Sequence, residues 1–412
     1  MSNTNLQKFL EAVSDLAGER CGQAFTNEMT SLLAERDRLL KSSWQEVDAS
    51  VISTEDRKKL LKEVDFDTFT SRAANFLDKK AYPLFLFNVA NTGIRFGELT
   101  KAKRLLTAIV AKYTASLDKL IVARCHKNLG QIAFYQNDLK SAETSLKTSL
   151  RLFKSINSHD GIASTHNALG TVLIEMGKPE AGQKEFNEAK AIAEKHKLDQ
   201  TLSSVLMNLG NVASILGEWD EALANYQSAL TGLKNQEAHQ LKAKLNLNLA
   251  SVYLKQGNFP KAESLVKEGN RFSEKGNLRY ERAVSYLIEA EIACRKRIYS
   301  TGSALAITAF HLFSEMGDRH GLAEVYRVLG MINRDSEHFD QALSYFENSR
   351  RINTELGSHL NLGETLYEMG QLHQTTGNKR KAGKAFRDAI ASYKRVNAKS
   401  RQLEAEIALS NL

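Results

Sequence analysis

The sequence predicts an all-α chain of about eight stacked helical hairpins, on three observations. Small residues recur at intervals of 40 positions. Proline is scarce, 3 against 24 glycines in 412 residues, and the composition, 42% hydrophobic and 25% charged, favours long uninterrupted helices over strands.

Residues 1–80 stand outside the repeat. Leu6, Phe9, Leu10, Val13 and Leu16 make an apolar stripe at helical spacing, and Met29, Leu32, Leu33, Leu39 and Leu40 suggest a second. Ser53 with Asp56 has the form of a capping box that opens a third helix. The pattern fits a helical cap or small bundle, and equally a partner-binding module through which a homo-oligomer would form. It contains no helix-turn-helix pattern.

Residues 81–397 carry the repeat. Its anchors are Ala90, Gly130, Gly170, Gly210, Ala250, Ala290, Gly330 and Gly370, five of them directly preceded by leucine. Seven positions on stands a turn-former in most units (Gly97, Asn137, Gly177, Gly217, Gly257, Gly377), with Arg297 and Glu337 in the other two. Twelve positions on comes a second small residue, Ala102, Ala142, Gly182, Ala222, Ala262, Gly302, Ala342 or Ala382. Small residues on both helices let the backbones approach. A bulky residue four further on (Leu106, Leu146, Phe186, Tyr226, Val266, Phe346, Phe386) is expected to fill the space between neighbouring hairpins. The unit around Ala290 departs most, with Glu289 in place of the leucine. Residues 398–412, with Arg401, Leu403, Glu404, Ile407 and Leu409, read as an amphipathic helix covering the last hairpin.

These residues resemble the tetratricopeptide repeat, whose unit has a small residue on helix A, a glycine turn, an alanine on helix B and an aromatic one turn later. The resemblance covers residues 83–395. The 40-residue spacing resembles the elongated repeats of cell-polarity adaptors, kinesin light chains and bacterial peptide receptors. It implies a right-handed α-solenoid with a concave groove lined by the A helices.

Offsets of −6, −3, −2, +1, +4 and +5 from each anchor share one broad stripe of helix A by 3.6-residue periodicity. The resemblance places that stripe in the groove. It carries Asn88, Asn128, Asn208 and Asn248 two positions before the anchor, and Asn91, Gln131, Asn211 and Gln371 one position after it. An amide both donates and accepts, so a ladder of amides suits the backbone of an extended peptide. Arg124, Lys127, Lys244, Lys255, Arg327 and Arg334 would pair with acidic side chains or a terminal carboxylate. The later repeats, with Glu289, Glu324 and Glu364, are expected to present a more acidic surface. The alternative for each amide is a solvated position or a bond to the neighbouring repeat, and most of the cations read equally well as solvated face residues.

Other chemistry finds little support. No stretch of about 18 apolar residues spans a membrane, and no leader pattern opens the chain. Cys21, Cys125 and Cys294 are far apart and form no Cys-x-x-Cys pair, which suits a reducing cytoplasm. No metal-ligand spacing, phosphate-binding glycine loop or dinucleotide turn occurs, so no cofactor or metal is expected. Asn157-Ser158-His159-Asp160 groups catalytic residue types, yet in register it is the turn between repeats. Trp219 and Phe339 fall where helix B begins and read as packing residues. The formal charge of +8 divides into −2 for residues 1–80 and +10 for the rest, which weakly favours acidic partners.

The expected function is that of a non-enzymatic scaffold or adaptor holding an extended, partly acidic protein segment in the groove. A peptide-responsive receptor whose residues 1–80 contact an effector is the alternative. A nucleic-acid-binding solenoid rests on charge alone.

Overall fold

The computed structural model describes Thr70, Ala74, Leu77 and residues 81–95, 98–114 and 117–412. The helices expected before residue 70 lie outside these. The described residues form seventeen helices and no strand. They are α1 (Ala81–Arg95), α2 (Leu99–Tyr113), α3 (Lys119–Tyr135), α4 (Leu139–Ser155), α5 (His159–Glu175), α6 (Pro179–Lys195), α7 (Asp199–Leu216), α8 (Trp219–Gly232) and α9 (His239–Lys255). There follow α10 (Phe259–Lys275), α11 (Arg279–Arg295), α12 (Tyr299–Met316), α13 (Arg319–Asp335), α14 (Phe339–Leu356), α15 (His359–Thr375), α16 (Lys379–Arg395) and α17 (Lys399–Ser410). The chain divides within α5 into two compact units, one ending at Val172 and the other beginning at Leu173. In the first unit α1–α2 and α3–α4 pair as hairpins, and in the second α7–α8, α9–α10, α11–α12, α13–α14 and α15–α16 do so, with α6 packed on α7 and α17 on α16. No helix among the described residues is long and apolar enough to cross a membrane.

The turns repeat as closely as the helices. Asn137, Gly177, Gly217, Gly257, Arg297, Glu337 and Gly377 all take positive φ at the hairpin turn. Asn157, Lys197, Asn277, Gly317, Gly357 and Asn397 do so between hairpins. At the first of these Asp138 N–H donates to the Ala133 carbonyl and Asn137 N–H to that of Phe134, both at 2.9 Å, satisfying the free carbonyls of α3. The hairpin around Ala290 therefore keeps the fold of its neighbours, with Arg297 adopting at φ 62° the conformation that glycine supplies elsewhere. Side chains of Asp138, Asn258 and Asn378 then accept from the backbone N–H three residues on and start the B helices.

The crossing of each hairpin is set by volume. A Cβ added to Gly330 would lie 2.5 Å from the Phe346 ring, one at Gly370 2.4 Å from Phe386, one at Gly210 2.5 Å from Tyr226, and one at Gly130 2.7 Å from Leu146. Where the anchor is alanine the residue sixteen positions on is smaller in two hairpins, Val266 after Ala250 and Ala306 after Ala290, while Leu106 follows Ala90, all fully buried. The bulky residue thus seats on the anchor of its own hairpin, where it was expected between hairpins. Contact across hairpins comes from another pair: the Phe313 ring lies 2.3 Å from a Cβ built on Gly321, as Phe153 does from one on Gly161.

Within the second unit an A helix packs on its B partner and on the A helices to either side, so α13 buries residues around most of its circumference. α10 buries only the Ala262, Val266, Gly269, Ser273 stripe. Within the second unit α17 packs on α16 through Leu409 and Leu412, which approach Gly383. It also reaches back four hairpins: a Cβ on Gly217 would sit 2.3 Å from that of Ser400, and the Arg401 guanidinium lies 5.7 Å from the Trp219 ring centre. Gly217 is needed twice, for φ 82° and for that approach. Leu403 and Ile407, expected on the packing face, are instead 57% and 52% exposed, and Ala405 is the buried residue.

The seam predicts the outcome of Gly330→Ala. Alanine gains about 1 kcal/mol of helix propensity, but overpacking against a buried ring costs about 1–3 kcal/mol. The variant should unfold at lower denaturant, and Phe346→Leu in the same chain should recover part of the loss.

Candidate functional site

The six inward offsets meet those of the next hairpin about 37 residues away. In the first unit the Asn128 side-chain amide donates to the Asn91 Oδ1, and Lys127 Nζ donates to Ser164 Oγ at 3.2 Å. Asn88 is half-buried, while Arg124 and Gln131 are exposed. In the second unit the Asn248 amide donates to Asn211 Oδ1 at 2.9 Å, and the Tyr226 hydroxyl donates to the same oxygen at 2.7 Å. Asn208 is half-buried on that face. Lys244 lies 3.9 Å from the Glu281 carboxylate, which also accepts from Gln240 at 3.1 Å. The amides thus form rungs between repeats, and each rung occupies only part of the donors and acceptors that two amides carry.

Further along the second unit the same offsets carry charge. Lys255 of α9, Glu291 and Arg295 of α11, Arg327 and Arg334 of α13 and Glu364, Glu368 and Gln371 of α15 occupy inward offsets, and all line one cavity of about 420 Å³. Tyr367 and Tyr393 complete the wall, and Arg401 and Glu404 close it from α17. Arg327 is the hub, 2.9 Å from Glu324, 3.5 Å from Glu291 and 3.6 Å from Glu364. Arg334 pairs with Glu368. Lys255 reaches Glu291 at 3.7 Å and, across three hairpins, Glu364 at 3.9 Å, which Arg401 also meets at 3.5 Å.

Two expectations change here. Arg327 is only 5% exposed, and its charge is matched by the chain's own carboxylates, so it is not held out for an acidic ligand. Glu324 and Glu364 do not form an acidic surface, because both pair with Arg327, Glu364 from the cavity wall. Glu289 is turned to Asn270, which donates to it at 3.4 Å. Glu291, Glu368 and Arg295 went unnoticed in the sequence although they stand at inward offsets, and Arg401 had no such signal.

Burial raises the carboxyl of Glu291, but Lys255, Arg327 and Arg295 outweigh it and hold the group down to about 2. Glu364 is depressed in the same way, burial being overcome by Lys255, Arg327 and Arg401. Glu324 goes up, because burial and the Glu364 charge exceed the pull of Arg327. Burial pushes the thiols of Cys125 and Cys294 up to about 12, with Asp335 adding to the shift at Cys294. Ser158 and Asn157 form the turn before α5, where Ser158 N–H donates to the Phe153 carbonyl at 3.1 Å. Among the described residues no cluster of His, Cys, Asp and Glu has the geometry to hold a metal ion.

A sequence model of the family described as Tetratricopeptide repeat matches residues 201–275 and 321–395, two stretches that each contain two anchors of the 40-residue register. Those two stretches are tetratricopeptide repeats. No curated protein sequence matches it significantly. Similar solved structures include a Rap protein complexed with competence and sporulation factor, at TM-score 0.62 and 13% identity over 90% of this chain and 98% of that one. The apo form of the quorum sensor NprR from B. thuringiensis aligns at TM-score 0.57 and 12% identity over 88% and 99% of the two chains. The Rap conjugation gene regulator of plasmid pLS20, in complex with a Phr peptide, aligns at 0.55 and 14% over 83% and 97%. At these identities the likeness establishes the tetratricopeptide solenoid and no more.

The charge cluster makes this repeat protein acid-sensitive. A carboxyl depressed in the fold stabilises it above the ordinary 4.5, and that contribution disappears as pH falls towards the folded value of about 2 for Glu291. The thermal midpoint should drop between those limits, and Glu291→Gln should flatten the drop while costing roughly 3 kcal/mol at neutral pH, since it leaves buried cations unmatched. The thiols give a second check. Cys125 and Cys294 should resist a thiol-specific chromophore in the native chain and react on unfolding.

Proposed function

We propose that the chain is a non-enzymatic, cytoplasmic peptide receptor that takes an extended polypeptide segment along the inward face of its A helices, with the cavity of the second unit as its principal seat. The observation that carries this reading is the convergence of inward offsets from successive hairpins on one cavity of about 420 Å³. Its wall offers amide and phenol groups for a peptide backbone at Gln371, Tyr367 and Tyr393, beside cations and carboxylates for side chains of either sign. Burying so many charges brings a desolvation penalty that apolar packing would avoid, so the network is poorly explained as a stabilising device alone. Similar folds whose names record competence and sporulation factor or a Phr peptide agree with a peptide as the ligand class.

A receptor is favoured over a passive adaptor by the pairs that cross the cavity. Lys255–Glu364 joins helices three hairpins apart in sequence, Arg401–Glu364 ties α17 to α15, and α17 is held by Arg401 on Trp219. A segment entering between them competes for the same charges and so alters how these helices are held.

The test selects peptides from a random display library on the full chain, then measures affinity and small-angle scattering. Gln371→Ala with Tyr367→Phe should weaken binding about tenfold through two lost hydrogen bonds, with the helical circular dichroism unchanged. The radius of gyration should shift on binding. Affinity indifferent to both substitutions would remove the cavity as the seat, and an unmoved radius would leave a passive scaffold.

A further inference from the structure

The second unit gathers its positive charge on one helix. Residues 173–412 hold 32 Lys and Arg against 29 Asp and Glu, a surplus of three. α16 alone carries Lys379, Arg380, Lys381, Lys384, Arg387, Lys394 and Arg395 against Asp388, a surplus of six. None of α6, α8, α10, α12 and α14, the helices at equivalent places in the same unit, has a surplus above one. All seven cations of α16 are exposed. Among the described residues none of them pairs with a carboxylate, and only Lys379 makes a side-chain hydrogen bond, from its Nζ to the Leu412 carbonyl. On α14, by contrast, Arg351 meets Glu355 at 3.2 Å. Like charges left without partners raise the potential over the face and attract anions. Their row runs along a helix of 17 residues, about 25 Å, which suits an extended anionic surface better than a single small anion.

A second observation lies on α17, packed beside α16. Leu403 and Ile407, one turn apart, are 57% and 52% exposed, on the side opposite the buried Ala405. The exposed Lys399 stands one turn before Leu403. On α16, Arg380, Arg387 and Lys394 lie three before, four after and eleven after Gly383, and so share its side of the helix. That side adjoins α17, for Leu412 and Leu409 come within 3.5 and 3.6 Å of a Cβ built on Gly383. Unpaired cations and uncovered aliphatic side chains thus neighbour one another at the C-terminal end of the array.

We infer that this end of the second unit, α16 with α17, is a docking surface for an anionic lipid bilayer. Arg380, Lys384, Arg387 and Lys394 meet the phosphate and carboxylate headgroups, and Leu403 and Ile407 enter the boundary between headgroups and acyl chains. The contact is peripheral, since no helix among the described residues is long and apolar enough to cross a bilayer. A bilayer is favoured over nucleic acid by the two aliphatic side chains, which a phosphate backbone does not use. The groups among the cations agree: Asp388 and Ala391 offer nothing for a base to stack on, and the rings of Phe386 and Tyr393 are buried.

Flotation of the full chain with vesicles tests this, with phosphatidylcholine alone and with phosphatidylcholine mixed with phosphatidylserine. Duplex DNA and polyglutamate probe the competing anions. The chain should float with the mixed vesicles and remain behind with the neutral ones. Arg380→Gln/Lys384→Gln/Arg387→Gln should weaken binding about a hundredfold. Leu403→Ser/Ile407→Ser should weaken it about tenfold and leave a remainder that salt releases completely. Every replaced residue is exposed, so helical circular dichroism should not change. Should the triple variant lose it, Lys384→Gln alone carries the comparison, at about fivefold. No flotation with the mixed vesicles, equal flotation with the neutral ones, or binding indifferent to either set of substitutions would each overturn the assignment. So would tighter capture of DNA or polyglutamate through the same cations.

Discussion

The close crossing of the two helices in each hairpin is the constraint on which everything else rests. A glycine or alanine at the anchor leaves room for a single side chain sixteen positions on: an aromatic or leucine after Gly130, Gly210, Gly330 and Gly370, and leucine, valine or alanine after Ala90, Ala250 and Ala290. Because interiors are packed to crystal-like density, this match sets how near the helices lie and hence the angle at which the next hairpin docks. Within each unit, hairpins built to one rule place their A helices side by side. Side chains at fixed offsets from the anchor are thereby brought into rungs.

Those rungs then diverge in chemistry. Where the offsets hold asparagine, the amides bond one another and retain spare donors and acceptors. Where they hold arginine and glutamate, the charges enclose a cavity and neutralise each other around Arg327. One geometry thus supports a neutral-to-basic face in the first unit and a compensated ionic cavity in the second. The compensation ties distant hairpins together, since Glu364 is shared by Lys255 and Arg401, which lie far from each other in sequence.

Much of this was legible beforehand. The 40-residue register located the hairpins within each unit, including the one around Ala290, because a positive-φ turn tolerates Arg297 once the flanking helices are fixed by packing. The six offsets followed from 3.6-residue periodicity, and some of those in the last four repeats, Lys255, Glu291, Arg327 and Glu364 among them, line one cavity. What could not be read was the state of the groups. Lys127 and Arg327 occupy equivalent offsets, yet one donates to Ser164 and the other is enclosed by three glutamates. Their fates depend on the residue 37 positions later, serine in one repeat and glutamate in the other.

The sequence by itself determined the class of fold, the repeat length, the turns and the stripe of helix A that faces inward, because these depend on local periodicity and on small residues that recur at fixed spacing. Only the tertiary structure decided which charges are buried and matched, that Phe346 seats on Gly330 of its own hairpin, and that α17 turns Leu403 and Ile407 outward while Ser400 and Arg401 reach Gly217 and Trp219. Those outcomes depend on how far successive hairpins rotate on one another. That rotation is the sum of many packing contacts, and it brings together residues that no single repeat relates.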